Sequence, residues 1–437
     1  MQALTLFAMS DSDLPACARP AEEGPDFDPL APETFDSPHA LYAELRQRCP
    51  VARAEAWNGF WALLRYDDVH RAASDSRTYI TSVQNVVPKV AFTGRRPPLH
   101  LDPPEHTPYR RALNPLLSEE AVARLETPIR GIIGQALEPL LERGHGDICA
   151  DFSSYVTIRV FAEWMNLSAE DAARLSAIGR EYNLSVQSAH DERVRETSLQ
   201  LYEIAKRLIA DCRRMPRDPT VDPVAALLAA RHNGQSLPEE MLIGTVRQVL
   251  VVGIIAPTIV IGSIVTHLCR HQDLQSELRA NPQRLPAALE EFLRLYTPYR
   301  GFARTCTHEV TLHGRTIHPG EPIALVYASA NRDEAVFPEP HEFRLNRPNI
   351  REHLAFGRGP HHCVGAALAR LELRLALEQL LERTSRIELA GPVLPTRMPE
   401  IGALVVPVRI WRATNATGIR DGSDQPLDEP IPHQSTR

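Results

Sequence analysis

The residue best suited to chemistry in this chain is a single cysteine in a short, glycine-punctuated loop. The loop reads Phe-Gly-Arg-Gly-Pro-His-His-Cys-Val-Gly from Phe356 to Gly365, and a helical pattern follows at once over residues 366–382. Its glycines let the backbone approach a flat group closely and turn N–H groups toward the sulfur of Cys363. The N-terminus of the following helix favours an anionic thiolate. The segment predicts a thiolate metal ligand, with a buried structural cysteine as the alternative.

The loop resembles the haem-binding signature of the cytochrome P450 family, Phe-x-x-Gly-x-x-x-Cys-x-Gly. Phe356, Gly359, Cys363 and Gly365 stand at that spacing. The resemblance covers residues 28–412. It implies a cytochrome P450 fold, mainly α with a minor β region, in which one large helical domain binds haem b through the Cys363 thiolate. A thiolate on haem iron favours O–O cleavage, so the resemblance implies a monooxygenase.

Length, charge and cysteine usage are consistent with one intracellular domain. The 437 residues carry a net charge of −7, without a central linker or repeat, and nothing in this balance indicates nucleic acid binding. Residues 1–27 and 413–437 are polar and are expected to be disordered tails, and the first of them resembles neither a signal peptide nor an anchor. Seven cysteines without a CxxC pair indicate reduced thiols. We expect a cytoplasmic monomer.

The most apolar stretch, residues 249–265, is short for a membrane span and contains glycine, proline and threonine. It predicts a helix that is buried in a soluble protein. Ser236-Leu-Pro-Glu239 resembles a capping box that would start this helix, which would end near His271. Other patterns predict a hairpin at Asn58-Gly59, a long loop over 82–98, short strands over 310–326 and a strand pair over 398–411.

Glu291 and Arg294 lie three residues apart in a predicted helix and share one face. Such pairs arise by chance on many helices. The resembled family, however, has a Glu-x-x-Arg helix at a comparable distance before its cysteine, and Arg347 matches a third partner. The resemblance implies that Glu291, Arg294 and Arg347 hold the platform of the cysteine loop.

His106 and Arg110 lie four residues apart at a predicted helix start and point the same way. Haem has two propionate carboxylates, which cationic donors bind through charge-assisted hydrogen bonds. The resemblance implies that His106 and Arg110 make such contacts, together with Arg304 and His361. The alternative for each is a solvated surface charge.

The long apolar helix departs from the family pattern. There, an acidic residue followed by threonine relays protons for O–O cleavage. Anchoring on Gly253 places Ile255 at the acid position and Ala256 at the alcohol, and neither can relay a proton. Pro257 follows, and a proline there removes a backbone hydrogen bond and usually kinks a helix. Gly253, Ala256 and Pro257 are therefore the distal catalytic positions, where freed carbonyls would accept a water or a substrate hydroxyl. Thr258 faces elsewhere.

Three functions stay open from these residues. The favoured one is a monooxygenase with substrate- or water-assisted proton delivery. The second is an enzyme that uses peroxide or performs a coupling, dehydration or rearrangement. A proline in this helix resembles the family's peroxide-using fatty-acid hydroxylases, but those have arginine where this chain has Ala256. The third is a non-catalytic haem- or ligand-binding module, which would not need a thiolate.

The resemblance places a substrate pocket among four regions of the chain, which are the 82–96 loop, the 182–190 region, the long helix around Val252 and Ala256, and residues 299–302 together with 401–404. The predicted pocket residues are Val86, Phe92, Val252, Ile255, Arg300, Phe302 and Leu404. Most are apolar, which predicts a medium-sized, mostly apolar organic molecule such as a secondary-metabolite intermediate. Arg300 would either meet a carboxylate or polar oxygen or point into solvent.

Electrons for an O2 reaction would come from a separate protein, because no flavin or iron–sulfur pattern follows the cysteine loop. We expect a ferredoxin and its reductase as donors. A basic patch would suit an acidic ferredoxin, and the candidate arginines are Arg111, Arg351, Arg358, Arg370 and Arg374. Ordinary solvated arginines are the alternative.

Overall fold

The computed structural model describes residues 24–36, 38–89, 93–188 and 190–413. The helices in these ranges are α1 Pro32–Asp36, α2 Pro38–Arg48, α3 Tyr66–Ser74, α4 Thr107–Leu113, α5 Glu119–Ala123, α6 Glu126–Arg143, α7 Ser154–Trp164, α8 Ala169–Gln187, α9 Asp191–Arg214, α10 Pro223–Ala229, α11 Glu239–Arg270, α12 Gln272–Ala280, α13 Leu285–Leu295, α14 Tyr327–Ala330 and α15 Ala366–Arg383. The strands are β1 Val51–Ala54, β2 Phe60–Leu63, β3 Tyr79–Ile80, β4 His145–Asp147, β5 Arg231–His232, β6 Gln235–Ser236, β7 Phe302–Cys306, β8 Val310–Leu312, β9 Arg315–Ile317, β10 Pro322–Leu325, β11 Thr384–Leu389, β12 Leu394–Pro395, β13 Ala403–Val405 and β14 Pro407–Arg412. The prediction of a mainly helical chain with a minor β region is confirmed.

Helix α11 is the axis of the largest core cluster, which it builds with α6, α7, α9 and α15. It is long and apolar enough to cross a membrane by composition, but 83% of its most apolar window is buried inside the protein. An all-round apolar helix of this kind is stable only inside a core or a membrane. The prediction of a buried helix over residues 249–265 is confirmed.

The start of α11 differs from the prediction. Ser236 does not cap the helix, because it belongs to β6 and pairs with Arg231 of β5 across a tight turn. Asn233 and Gly234 in that turn both have positive φ, as a two-residue hairpin requires. The helix begins at Glu239, after Pro238, and no side-chain capping bond is formed. The capping-box interpretation is therefore wrong.

The largest sheet has five strands in the order β1-β2-β10-β7-β3, in which only β10 and β2 are parallel. Strands β1 and β2 form the predicted hairpin. Trp57, Asn58 and Gly59 in its turn all have positive φ, which asparagine and glycine tolerate better than other residues. The hairpin prediction at Asn58-Gly59 is confirmed.

The last two strands, β13 and β14, do not pair with each other. Strand β13 pairs with β12, whereas β14 lies between β11 and β4. The backbone of Val406, between the two strands, explains the change of sheet. Its N–H donates to the Asp147 carboxylate, and its carbonyl accepts from the Ile148 N–H. The predicted strand pair over 398–411 therefore has the wrong partners.

The packed domain begins earlier than residue 28. Asp26 forms a buried ion pair with Arg315 and accepts a hydrogen bond from the Arg53 N–H. Phe27 packs edge-on against Phe60. Residues 1–23 and 414–437, which hold most of the two expected tails, lie outside the described residues.

Five cysteines of the described residues are free thiols: Cys149, Cys212, Cys269, Cys306 and Cys363. Cys49 is disulfide-bonded. The expectation that all seven cysteines are reduced thiols is therefore wrong at Cys49.

Candidate active site

The cysteine loop lies close to the end of α3, and a glycine in the loop makes this close approach possible. A Cβ at Gly359 would lie 2.5 Å from the Ala73 carbonyl oxygen, and its φ of +68° is one that other residues rarely adopt. The Cys363 N–H donates to the Phe356 carbonyl at 2.8 Å and closes the loop. Helix α15 starts directly after Gly365. The predicted loop and its helix are confirmed, and Cys363 is among the accessible residues.

Groups around the Cys363 thiol shift its pKa in opposite directions. Burial by neighbouring groups raises the pKa of Cys363, whereas the Gly365 N–H and the cations of Arg110 and Arg370 lower that pKa. A backbone N–H and two guanidinium groups around a sulfur are suited to a metal-bound thiolate.

The three residues of the predicted triad contact one another. Arg294 donates two hydrogen bonds to the Glu291 carboxylate, at 2.8 and 2.7 Å, and Arg347 Nε lies 3.1 Å from both of its oxygens. All three side chains are buried. The remaining donors of both arginines bind backbone carbonyls between residues 331 and 342. The triad therefore ties α13 to the irregular segment that precedes the cysteine loop.

A second hydrogen-bond network, which the sequence analysis did not predict, includes a direct contact with the cysteine loop. Arg370 of α15 donates two hydrogen bonds to Glu290, at 2.7 and 2.9 Å, and lies 4.4 Å over the ring of Phe356. His353 Nε2 is 2.9 Å from the same carboxylate. Burial raises the pKa of Glu290, but the bonds to His353 and Arg370 outweigh it and bring the pKa to about 2.

The four predicted propionate contacts come together in one place. The rings of His106 and His361 meet edge to face with centroids 4.7 Å apart. Burial lowers the pKa of His361 to about 2, with Arg304, His106 and Arg110 adding to the effect. Burial also lowers the pKa of His106 to about 4, again with Arg110. His106 and Arg304 are buried and His361 is nearly so, whereas Arg110 is half-buried. The first three are therefore not solvated surface charges, and the propionate contacts stay a prediction.

The ring nitrogens of His106 in this cluster lack hydrogen-bond partners that a carboxylate could supply. Both ring nitrogens of His106 are buried without a well-formed hydrogen bond among the described residues, and only the Pro360 carbonyl approaches them. Arg304 is buried and donates to the carbonyl of its neighbour Ala303. Buried donors without acceptors are costly. Carboxylates of a bound group beside Cys363 would satisfy them, so these residues fit haem with its propionates.

Comparison with known proteins agrees with this geometry. The family described as cytochrome P450 matches residues 153–407. The chain belongs to the cytochrome P450 family. It is 33% identical to mycinamicin IV hydroxylase/epoxidase of Micromonospora griseorubida, over 86% of this chain and 98% of that protein. It is 31% identical to cyclomarin C epoxidase of Salinispora arenicola, over 81% of this chain and 90% of the relative.

Among solved structures, a cytochrome P450 from Chondromyces apiculatus, CYP109Q5, superposes with a TM-score of 0.80 at 27% identity. The superposition covers 89% of this chain and 99% of that one. The fold is therefore the cytochrome P450 fold, as the resemblance implied. The protein is a haem-thiolate monooxygenase, of a family that binds haem through a cysteine thiolate.

In this P450 the distal helix has one accessible face. Val252 is 47% exposed, and Gly253 and Ala256 are half-buried, whereas Ile255 and Pro257 are buried. The predicted pocket position of Ile255 is therefore off this face. The helix continues through Pro257 without a break, and the expected kink stays a prediction.

The glycine and threonine of this helix face other elements. A Cβ on Gly253 would lie 2.3 Å from the Phe161 ring, so glycine here permits close packing of α11 on α7. The Thr258 hydroxyl donates to the Ile254 carbonyl at 2.9 Å and lies 3.2 Å from the Thr157 hydroxyl. Thr258 is thus engaged away from Ala256, as expected.

Gln248 was missed by the sequence analysis. It lies one turn before Val252, on the same side of α11, and its amide oxygen is buried without a hydrogen bond among the described residues. No motif marks this position. Only the helical register, counted back from Val252, would have placed it near the accessible face.

Three apolar residues of the predicted substrate pocket are partly exposed. Val86 forms a β-bridge with Phe302, whose ring packs against Tyr299 with centroids 4.4 Å apart. Phe302 and Leu404 are half-buried. Phe92 lies outside the described residues.

Arg300 is not a pocket residue. Its side chain is 1% exposed and donates to the carbonyls of Glu400 at 2.9 Å, Thr34 at 2.6 Å and Thr396 at 3.4 Å. Both earlier interpretations, a substrate contact and a solvated charge, are wrong. The arginine instead joins the N-terminal segment to the turn before β13.

Two of the five candidate docking arginines have carboxylate partners. Arg370 is bound to Glu290, and Arg374 to Glu126 and Glu378. A charge that is already neutralised attracts an acidic partner less. The docking hypothesis therefore depends on the three other candidates, Arg111, Arg351 and Arg358.

Proposed function

We propose that this P450 oxygenates a medium-sized, mostly apolar organic molecule of the secondary-metabolite type, as a cytoplasmic monomer supplied with electrons by a ferredoxin and its reductase. The named activities of the relatives support the substrate type, because one acts on mycinamicin IV and another on cyclomarin C. The accessible apolar side chains of Val86, Val252, Phe302 and Leu404 support an apolar substrate.

The observation that carries the proposal is an accessible Cys363 near a cluster of basic side chains in which both ring nitrogens of His106 are buried without a hydrogen bond among the described residues. In our proposal Cys363 holds the iron, Phe356 and Gly365 shape its loop, and His106, Arg110, Arg304 and His361 bind the propionates. Bound haem supplies the electron-transfer and oxygen-activating chemistry. The chain itself orients the group and neutralises its carboxylates through charge-assisted hydrogen bonds.

Proton delivery in this proposal uses a water or a substrate hydroxyl, held at Gly253. Proline has no N–H, so Pro257 leaves the Gly253 carbonyl without its usual helical donor. The methyl of Ala256 leaves space on the accessible face beside it. That carbonyl can accept a hydrogen bond from a donor that brings the proton, which the acid–alcohol pair would otherwise do.

A comparison of two oxidants tests this function. The haem protein is incubated with candidate apolar substrates, either with O2, ferredoxin, reductase and NADPH, or with hydrogen peroxide alone. We expect oxygenated product mainly in the first arm. Equal or greater turnover with peroxide, without electron donors, would replace the proposal with the peroxide-using alternative. A thiolate spectrum without product in either arm would favour the binding module.

A further inference from the structure

Gln248 of α11 has a buried amide oxygen that lacks a hydrogen-bond donor. The residue is 8% exposed, and its Oε1 meets no donor among the described residues. A buried acceptor that is left without a donor loses its hydration and gains nothing in return. Folded proteins complete nearly all such groups, and a bound water or a ligand does so where the protein itself does not.

Two sides of α11 near Gln248 are occupied by other helices. Arg247 donates to the Ser198 hydroxyl of α9 at 2.8 Å and lies over one tyrosine ring of α8 and one of α9. Gly253 packs closely on the ring of Phe161 in α7. Successive residues of an α-helix are turned by about 100°, so Gln248 points away from both of these sides.

The side of α11 that carries Gln248 is covered before this residue and open after it. One turn earlier, a Cβ on Gly244 would overlap the Arg95 carbonyl oxygen, so the loop that holds Val86 covers the helix there. One turn later, Val252 is 47% exposed. Gln248 therefore lies where the loop gives way to the accessible distal face, which is proposed to meet the substrate.

The surroundings of Gln248 favour a neutral partner. An amide oxygen accepts hydrogen bonds from hydroxyl and N–H groups. The preceding residue, Arg247, is a buried cation that meets no carboxylate of the described residues, and a like charge on a nearby ligand would be repelled. The accessible side chains of the proposed pocket, Val252, Phe302 and Leu404, are apolar and cannot supply a donor.

We propose that Gln248 determines substrate specificity by accepting a hydrogen bond from a hydroxyl or amide N–H group of the substrate. This inference rests on the proposed function and makes its substrate class more specific. Gln248 lies two turns before Ala256, which is about 12 Å along the helix axis. The group that it binds is therefore remote from the oxidised carbon and distinct from a hydroxyl held at Gly253.

A glutamine with a purely structural role has different contacts in the same protein. Gln275 is 1% exposed, and its amide nitrogen donates to the carbonyls of Leu268 and Ile387. Its amide oxygen accepts from the Ile387 N–H at 3.0 Å. Gln275 has the same side chain and a similar burial but is completed by the protein itself, so it provides the matched control.

Ligand pairs that differ by one hydrogen-bond donor test the inference. The ferric haem protein is titrated with straight-chain primary alcohols from 1-octanol to 1-tetradecanol, each beside its methyl ether. Binding is followed by the spin-state shift of the haem band and, independently of haem, by calorimetry. The range of chain lengths brings the hydroxyl to different depths in the pocket. One neutral hydrogen bond predicts that the alcohol that reaches Gln248 binds roughly 3- to 10-fold more tightly than its ether.

Two variants separate recognition from structure. Gln248→Leu should abolish the preference for the alcohol and leave ether binding within about twofold. It should also leave the denaturation midpoint unchanged or raise it, because it removes a buried oxygen that had no donor. Gln275→Leu should lower the midpoint, because it leaves the backbone groups of Ile387 unpaired, and should keep the preference.

Equal binding of alcohol and ether at every chain length would overturn the inference, as would a preference that survives in Gln248→Leu. A fall in the midpoint as large as that of Gln275→Leu would show that Gln248 is bonded within the protein and would also overturn it. Gln248→Met, with an unbranched side chain of similar length, decides the same questions if leucine does not fit the site.

Failure of the proposed function is read separately. A preference for the alcohol that depends on Gln248, without ferredoxin-driven product, would leave the hydrogen bond at Gln248 standing and contradict the proposed function. Ferredoxin-driven product without that preference would do the reverse.

Discussion

Buried charges have opposite-charge partners on one side of the active site and not on the other, among the described residues. On the cysteine side, Glu290 and Glu291 are each bound by two basic side chains. On the distal side, Arg247 is fully buried and meets no carboxylate of the described residues. On the cysteine side the buried charges are paired within the protein, whereas the described neighbours of Arg247 are a hydroxyl and two aromatic rings.

This difference follows from what each side must do. A buried ion pair adds little net stability but holds its groups in one geometry, which suits a thiolate that must meet a metal in a fixed direction. A buried cation without a carboxylate partner costs stability, which aromatic rings and a hydroxyl offset in part. The following predictions test the two halves of the comparison.

The largest effect is expected at Cys363. Cys363→Ala removes the only thiolate proposed to hold the haem, so the characteristic spectrum of the reduced CO complex and all turnover should disappear. Cys269→Ala, at a free thiol in α11, should change neither. A thiolate-type spectrum in the Cys363 variant, measured on the purified protein, would show that another residue holds the iron.

The next effect is expected at the centre of the triad. Glu291→Gln leaves the buried cations of Arg294 and Arg347 without their counter-ion, which should lower the free energy of unfolding by about 3–5 kcal/mol. Chemical denaturation followed by circular dichroism measures this. Glu203→Gln, which breaks an exposed pair with Lys206, should leave the midpoint unchanged. A loss as small as that of the control would mean that the triad is not a determinant of the platform.

Glu290 gives the cysteine side a pH dependence. Its folded pKa of about 2 lies below the unfolded value of about 4.3. Its contribution, about 3 kcal/mol, is therefore fully present above the unfolded pKa and is lost as pH falls toward 2. The difference in unfolding free energy between the wild type and Glu290→Gln should shrink over that interval. For Glu382→Gln, at an exposed carboxylate, it should stay constant. A Glu290 difference independent of pH would contradict the assigned network.

The smallest effect on stability is expected on the distal side. Pro257→Ala restores a donor to the Gly253 carbonyl and should raise the unfolding free energy by about 1–3 kcal/mol, while product formed per electron pair falls several-fold. Pro139→Ala, inside α6, should stabilise the protein without altering product yield. Unchanged yield in Pro257→Ala would exclude Gly253 from proton delivery.

The sequence allowed the prediction of features that depend on short spacings. The cysteine loop with α15, the Glu291–Arg294 pair and the His106–Arg110 pair are each read within ten residues, because helix and turn geometry place such neighbours reliably. The resemblance then supplied the more distant members, Arg304, Arg347 and His361, and the structure brings them to the expected partners. Their haem contacts stay a prediction.

Failures occurred where the partner lies far away in the chain. Arg300 bonds to Thr34, which is 266 residues away, and no local pattern predicts that contact. Ser236 had the right spacing for a cap, but the preceding Asn233-Gly234 turn drew it into a hairpin. In that case one local signal competed with another, and the tighter turn prevailed.

The amino-acid sequence by itself determined the family, the cysteine that is proposed to bind haem and the absence of an acid–alcohol pair, because these depend on residue type and local spacing. Only the tertiary structure decided which charges are paired. It bound Arg370 to Glu290, moved Arg300 out of the pocket and buried Arg247 without a carboxylate partner among the described residues. Electrostatic energy depends on distance and burial in space, and neither can be read along a chain before it is folded.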